Sequence, residues 1–266
     1  MPDDTSRHGP FIARRSLIAA SVLAIGASAA RPIFAQTAGG EGGEGGEGAA
    51  PEAGPGEGEA GEAGFLFALG QYEAQALIVA ALATAGKGAV AQEHLAATGH
   101  ADYEAFEAGF ARHGIAAFAD RADTFGNAVT KGGDAAAMTA AAESLADAIA
   151  VARAGAAPTD LAKAVELLVR DAGADFEAGV AAGKVTDPQE YRDAWGYVQA
   201  AVRIASDLSA APDPKAAAFG AAALRALEPL AAALPGADAD AVSGGADIFY
   251  GAAARIELAA YSLTRP

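Results

Sequence analysis

The feature that most constrains this chain is a helical periodicity between Asp160 and Leu208 that stops once and restarts within a few residues. Leu161, Val165, Leu168, Ala172, Phe176 and Val180 recur at intervals of three and four, which stacks them on one face of an α-helix. Thr159, following Pro158, is the expected N-cap, and Gly183 falls where a helix end needs positive φ. Asp187-Pro188-Gln189-Glu190 then restarts the helix, with a capping carboxylate, proline in the first turn and glutamate at the third position. The second helix is expected to bury Tyr191, Ala194, Trp195, Val198, Val202 and Ala205. So short a connection makes the two helices antiparallel neighbours.

The same grammar runs from Phe65 to Pro266, where no alternating β-branched run appears. The expected fold is all-α, an antiparallel bundle of about eight helices, with sub-bundles at 65–157 and 158–266. The segments are Phe65–Ala85, Gly88–His113, Ile115–Lys131, Asp134–Gly155, Asp160–Ala182, Pro188–Ala210, Lys215–Leu234 and Ala246–Leu263, punctuated by glycine and proline. Core faces are expected at Phe118, Ala122, Phe125 and Val129, at Met138, Ala142, Leu145 and Ile149, and at Ile248, Ala252, Ile256, Ala259 and Leu263.

Two stretches precede that domain. Arg14-Arg15 before the apolar run Leu17 to Ala30 reads as a twin-arginine-type signal peptide over residues 1–35, cleaved after Ala35 or Ala29 or retained as an anchor. Residues 36–64, with three Gly-Gly-Glu repeats and no apolar periodicity, read as a disordered acidic linker. The expected location is the periplasm.

Charge and residue usage exclude several chemistries. The chain carries a net −16; loss of residues 1–35 leaves 14 basic against 32 acidic side chains, −18. That field repels nucleic acid and attracts cations. Without cysteine there is no iron–sulfur cluster and no c-type haem attachment, and two methionines do not make a copper site. No serine-hydrolase elbow, phosphate loop, dinucleotide fingerprint or His-Glu-x-x-His run occurs, so no enzyme is expected.

Polar residues that interrupt apolar faces are the functional candidates. Glu73 lies among Leu69, Ala76, Leu77 and Ala80 and needs a Tyr, His or Arg partner or a bound cation. His94, His100 and His113 share the next helix, and His100, Tyr103, Glu104 and Glu107 fall on one stripe. With Glu73 facing them, His94, His100 and Glu104 make a nitrogen and oxygen set for iron, manganese, zinc or copper; otherwise the stripe is a solvated face. Asp175, Glu190, Tyr191 and Asp193 are supporting candidates, and the like-charged pair Asp171 and Asp175 is expected to be exposed.

Asp175-Phe176, Ala178, Val180, Gly183-Lys184-Val185, Glu190-Tyr191 and Asp193 resemble the periplasmic helical domain of oxidase-dependent high-affinity iron permeases. The chain lacks that family's Arg-Glu-x-x-Glu motif, Arg255-Ile256-Glu257 being the nearest run, so permeation is not implied. The resemblance implies an exported module for iron or other metal handling, working with a membrane metal permease or another periplasmic protein, of open oligomeric state. The histidine stripe is also similar to imelysin-type periplasmic proteins, with His-x-x-x-Glu in place of their His-x-x-Glu. The rival expectation is a non-catalytic module that docks a partner.

Overall fold

The structure is a computed structural model that describes residues 61–98, 103, 109–110, 113 and 117–265. The described residues form eight named helices: α1 (Gly61–Thr84), α2 (Gly88–Thr98), α3 (Ala119–Thr130), α4 (Ala135–Arg153), α5 (Pro158–Gly179), α6 (Pro188–Ser209), α7 (Pro214–Ala233) and α8 (Asp247–Thr264). The all-α expectation holds, with one two-stranded ribbon as its exception.

The hairpin between Asp160 and Leu208 folds as its local signals dictate. Asp187 caps α6, its Oδ1 accepting from the Gln189 amide at 3.0 Å and from Glu190 at 3.4 Å. The first helix stops earlier than expected. Its N-cap is Ala157 with Pro158 in the first turn, not Thr159, and it ends at Gly179. Val180↔Val185 and Ala181↔Lys184 then pair antiparallel as β1 (Val180–Ala181) and β2 (Lys184–Val185). Ala182 (φ 50°) and Gly183 (φ 74°) form the tip, so the positive φ of Gly183 serves a hairpin and not a helix cap. A Cβ on Gly179 would lie 2.8 Å from the Tyr191 nitrogen, so close approach of α5 to α6 requires glycine there.

Helices α5 to α8 pack around Leu168, Phe176, Tyr191, Ile204, Phe219, Leu230 and Phe249. A second core gathers Leu69, Leu82, Phe125, Leu145 and Ile149 from α1, α3 and α4. α1 joins the two, because it packs on α4 and α2 with one side and on α5 and α6 with the other. It is buried almost all round, not on one face. On α8 the buried face is Phe249, Ala252, Ala253 and Ile256; Ile248, Ala259 and Leu263 are half-buried, a rotation of the expected face. By length and composition alone α1, α4 and α7 are apolar enough to cross a membrane.

The expected linker of residues 36–64 overlaps α1, which begins at Gly61. Residues 1–60, which include the expected signal peptide, lie outside the described residues.

Candidate metal centre at the α5–α6 hairpin

Six acidic groups that the domain buries or half-buries are treated in two ways, and the difference locates the site. Glu73, fully buried on α1, is held by Arg153 and by Arg203 Nε at 2.8 Å. Burial raises its pKa and the two guanidiniums pull it back. Glu166 accepts from Lys163 Nζ at 2.8 Å and Arg170 Nε at 2.6 Å; burial pushes it up, but both cations together hold it below its usual range. Asp238 accepts from Arg192 at 3.0 Å and Lys87 at 3.3 Å. Each of these three has two cations. Among the described residues, Asp171, Asp175 and Asp193 have no lysine or arginine within salt-bridge distance.

Their positions follow from helix geometry. Asp171 and Asp175 are one turn apart on α5; Glu190, Asp193 and Tyr197 lie three and four apart on α6, which runs antiparallel beside it. The far wall comes from α1 and α2. Gln71 Nε2 donates to Asp171 Oδ2 at 2.9 Å and reaches the Tyr197 hydroxyl at 3.4 Å. Gln75 Nε2 and Gln189 Nε2 each donate to Asp193 at 3.1 Å, and both glutamine oxygens face the ring of His94, at 2.6 and 3.1 Å.

Amides orient Asp171 and Asp193 without neutralising them, Asp175 is hydrogen-bonded to Glu190, and the proton affinities follow. Burial, then the charges of Asp193, Asp171 and Glu190, push Asp175 up to about 9. Burial pushes Asp193 up to about 7 against the Gln75 and Gln189 hydrogen bonds, and raises Asp171 against Gln71. Burial and the Arg192 charge push His94 down to about 3, so the ring is neutral. A neutral ring cannot donate from both nitrogens. The arrangement that satisfies every atom turns one glutamine amide over and places a proton on Asp193. Burial, then Asp193, Asp175 and Asp171, drive Tyr197 well above the ordinary phenol range.

The expected ligand set is only partly brought together. Glu73 does not face His94. It projects toward α4 and α6, because Gln71 and Gln75, two residues either side, take the opposite side of the helix. Its partners are arginines, so it holds helices together and is not offered to a cation. His94 does reach the site, through Asp193 at 3.9 Å. His100, Glu104 and Glu107 lie outside the described residues. Tyr103 sits in an aromatic cluster with Phe110 and Phe118, its hydroxyl accepting from the Phe118 amide at 3.1 Å. His113 pairs with Glu62 and stacks on Phe65. Tyr191 points away from the aspartates and donates to the Gly236 oxygen at 2.8 Å. Asp171 and Asp175 are half-buried, not surface charges.

Gln71, Gln75, Gln189 and Tyr197 were not legible as site residues, though Gln71 and Gln75 at i and i+4 of an apolar helix carry the signal. No three His, Asp or Glu side chains among the described residues already form a coordination sphere, so cation binding requires the carboxylates to close up. An open cleft of about 930 Å³ beside Phe118, Arg121, Ser144 and Val151 lies apart from this centre. Of its charged groups, His113 pairs with Glu62, Arg121 with Ser144 and Asp147 with Arg203.

Residues 152–257 match the iron permease-associated 4-helix bundle domain. That span holds α5, α6, α7 and the first half of α8, together with Asp171, Asp175, Glu190, Asp193 and Tyr197. This part of the chain is similar to a helical domain associated with iron permeases. No curated protein matches the chain, and no solved structure does.

Proposed function

We propose that the protein is an exported, periplasmic metal-binding accessory of iron uptake or homeostasis, with no catalytic role. The observation that carries this reading is the contrast between Glu73, Glu166 and Asp238, each clamped by two cations, and Asp171 and Asp193, held by amides, with Asp175 hydrogen-bonded to Glu190. Carboxylates aligned but left uncompensated bind either protons or a metal cation. The family match over the same residues favours a metal of the iron type. The ligands are Asp171, Asp175, Asp193 and Glu190, with His94 beside them, an oxygen-dominated set suited to iron or manganese and poorly suited to monovalent copper. A membrane metal permease is the partner this reading implies. Metal analysis of protein recovered from the periplasm tests it: iron or manganese in near-stoichiometric amount is expected, and metal-free protein under metal-replete growth contradicts it.

A docking module is the second reading. Tyr250, Ala254, Leu258 and Tyr261 form one stripe on the outer side of α8, with Leu258 69% and Tyr261 58% exposed. Loss of partner capture on Leu258→Glu, with metal content unchanged, would favour it.

A further inference from the structure

The outer side of α7 and α8 sets cations around an exposed apolar stripe in a chain that is otherwise acidic. Leu258 is 69% and Tyr261 58% exposed. Arg255 precedes Leu258 by three positions and Arg265 follows Tyr261 by four, so a cation, two apolar groups and a cation succeed one another along one strip. Lys215 Nζ donates to the Arg265 oxygen, which puts the start of α7 beside the end of α8. The two helices pack antiparallel from there, and ten residues along α7 and ten back along α8 bring Arg225 level with Arg255. All four cations are exposed. Among the described residues, none of the four has a carboxylate within salt-bridge distance. The acids of these helices are engaged or stand at the other end. Glu257 accepts from Arg170 at 2.9 Å, Asp213 caps α7, and Glu228 and Asp247 lie toward the loop that joins the two helices.

Resting on the docking reading above, we infer that this face lies on an anionic phospholipid bilayer. Size and charge together select that occupant. A stable protein interface takes about 20–30 residues a side, whereas this stripe offers three large apolar side chains, Tyr250, Leu258 and Tyr261. A second copy would press one chain of net −16 against another. A bilayer asks for no matching shape: a narrow apolar stripe sinks about 5–10 Å into the boundary between headgroups and acyl chains. Leu258 enters the acyl edge, Tyr261 stays at headgroup level with its hydroxyl in water, and the cations reach phosphate oxygens on their aliphatic stems. The acidity of the remaining surface does not prevent this, because at physiological salt a charge is screened beyond about 8 Å and only the face in contact is felt.

The test is co-sedimentation of the full chain, at physiological salt, with vesicles of phosphatidylcholine alone and of phosphatidylcholine mixed with phosphatidylglycerol. Tighter binding to the mixed vesicles is expected. Leu258→Glu should weaken it at least about tenfold, since the apolar group that enters the bilayer is lost. Arg225→Gln/Arg255→Gln should weaken it about fivefold for each cation removed. All three positions are exposed, so the melting temperature of these variants should stay that of the parent. The chain has no cysteine, so Leu258→Cys carries a single environment-sensitive fluorophore. Its emission should move to the blue on the mixed vesicles, while the same label on Glu143→Cys, exposed on α4, should not respond. Equal binding by parent and variants, or a label at position 258 that stays in water, would overturn the inference. So would a dimer in vesicle-free solution that Leu258→Glu dissociates. Capture of a protein partner that Leu258→Glu abolishes, without vesicle binding, would overturn the lipid surface and leave the docking reading standing. Absence of both would defeat the two together.

Discussion

His94 and Asp193 stand 3.9 Å apart and are joined through two glutamines, Gln75 from α1 and Gln189 from α6, each spanning the imidazole and the carboxylate. The N-terminal helices thereby complete a centre whose acidic residues all come from α5 and α6. Gln75→Leu removes one bridge and leaves buried polar atoms on both sides. It should destabilise the fold by roughly 1–3 kcal/mol and raise the proton affinity of Asp193 further. Chemical denaturation and carboxyl titration by NMR measure both, and an unchanged Asp193 titration would show that the bridge does not orient it.

The pH dependence of the metal-free protein follows from the same groups. Asp175 and Asp193 rise from 3.8 to about 9 and about 7 on folding, so the native state holds protons that the unfolded chain releases. Their contribution is complete below the unfolded value and is lost as pH climbs through 7 and 9. His94 runs the other way: lowered from 6.5 to about 3, it favours the native state above 6.5 and loses that contribution as pH falls. The melting temperature should therefore fall as pH rises toward 9 and level out above it, since below 6.5 His94 offsets only one of the two aspartates. Asp175→Asn should flatten the alkaline decline, and an unaltered profile in that variant would contradict the assignment.

Glu73 should behave as a structural acid. Removing it strands Arg153, buried on α4, and Arg203 on α6 without their shared partner. Glu73→Ala should cost about 3–5 kcal/mol, as breaking one side of a buried pair does, and leave metal affinity per folded molecule unchanged. Loss of metal binding at full stability would restore it as a ligand.

Much of the fold was written locally and the site was not. Asp187, Pro188 and the three-and-four spacing from Leu161 to Phe176 act within one or two helical turns, so the hairpin could be read directly. Glu73 was legible as a costly residue, but its partners are 80 and 130 positions away and only packing reveals them. The repulsion between Asp171 and Asp175 was equally visible. What sequence could not supply was the wall opposite, because Gln71 and Gln75 meet α5 and α6 only once α1 is inserted between the two cores.

Close packing of α6 on α7 depends on Gly220. A Cβ there would lie 2.2 Å from the Ser209 nitrogen and 2.6 Å from the Ala205 oxygen, both backbone atoms that cannot rotate aside. Gly220→Ala should destabilise the bundle by about 1–3 kcal/mol or more through overpacking, against the gain in helix propensity that alanine brings elsewhere. A variant as stable as the parent would mean that α7 sits farther from α6.

The central claim is that Asp171, Asp175 and Asp193 are left uncompensated in order to hold a cation. Isothermal titration of the full chain with manganous and ferric ions, beside Asp175→Asn and the double variant Asp171→Asn/Asp193→Asn, tests it most directly. Saturable binding near one ion per chain, weakened in Asp175→Asn and abolished in the double variant while helicity is retained, is the predicted result. Binding that is undiminished in the double variant, or no saturable binding by the parent chain, would contradict it.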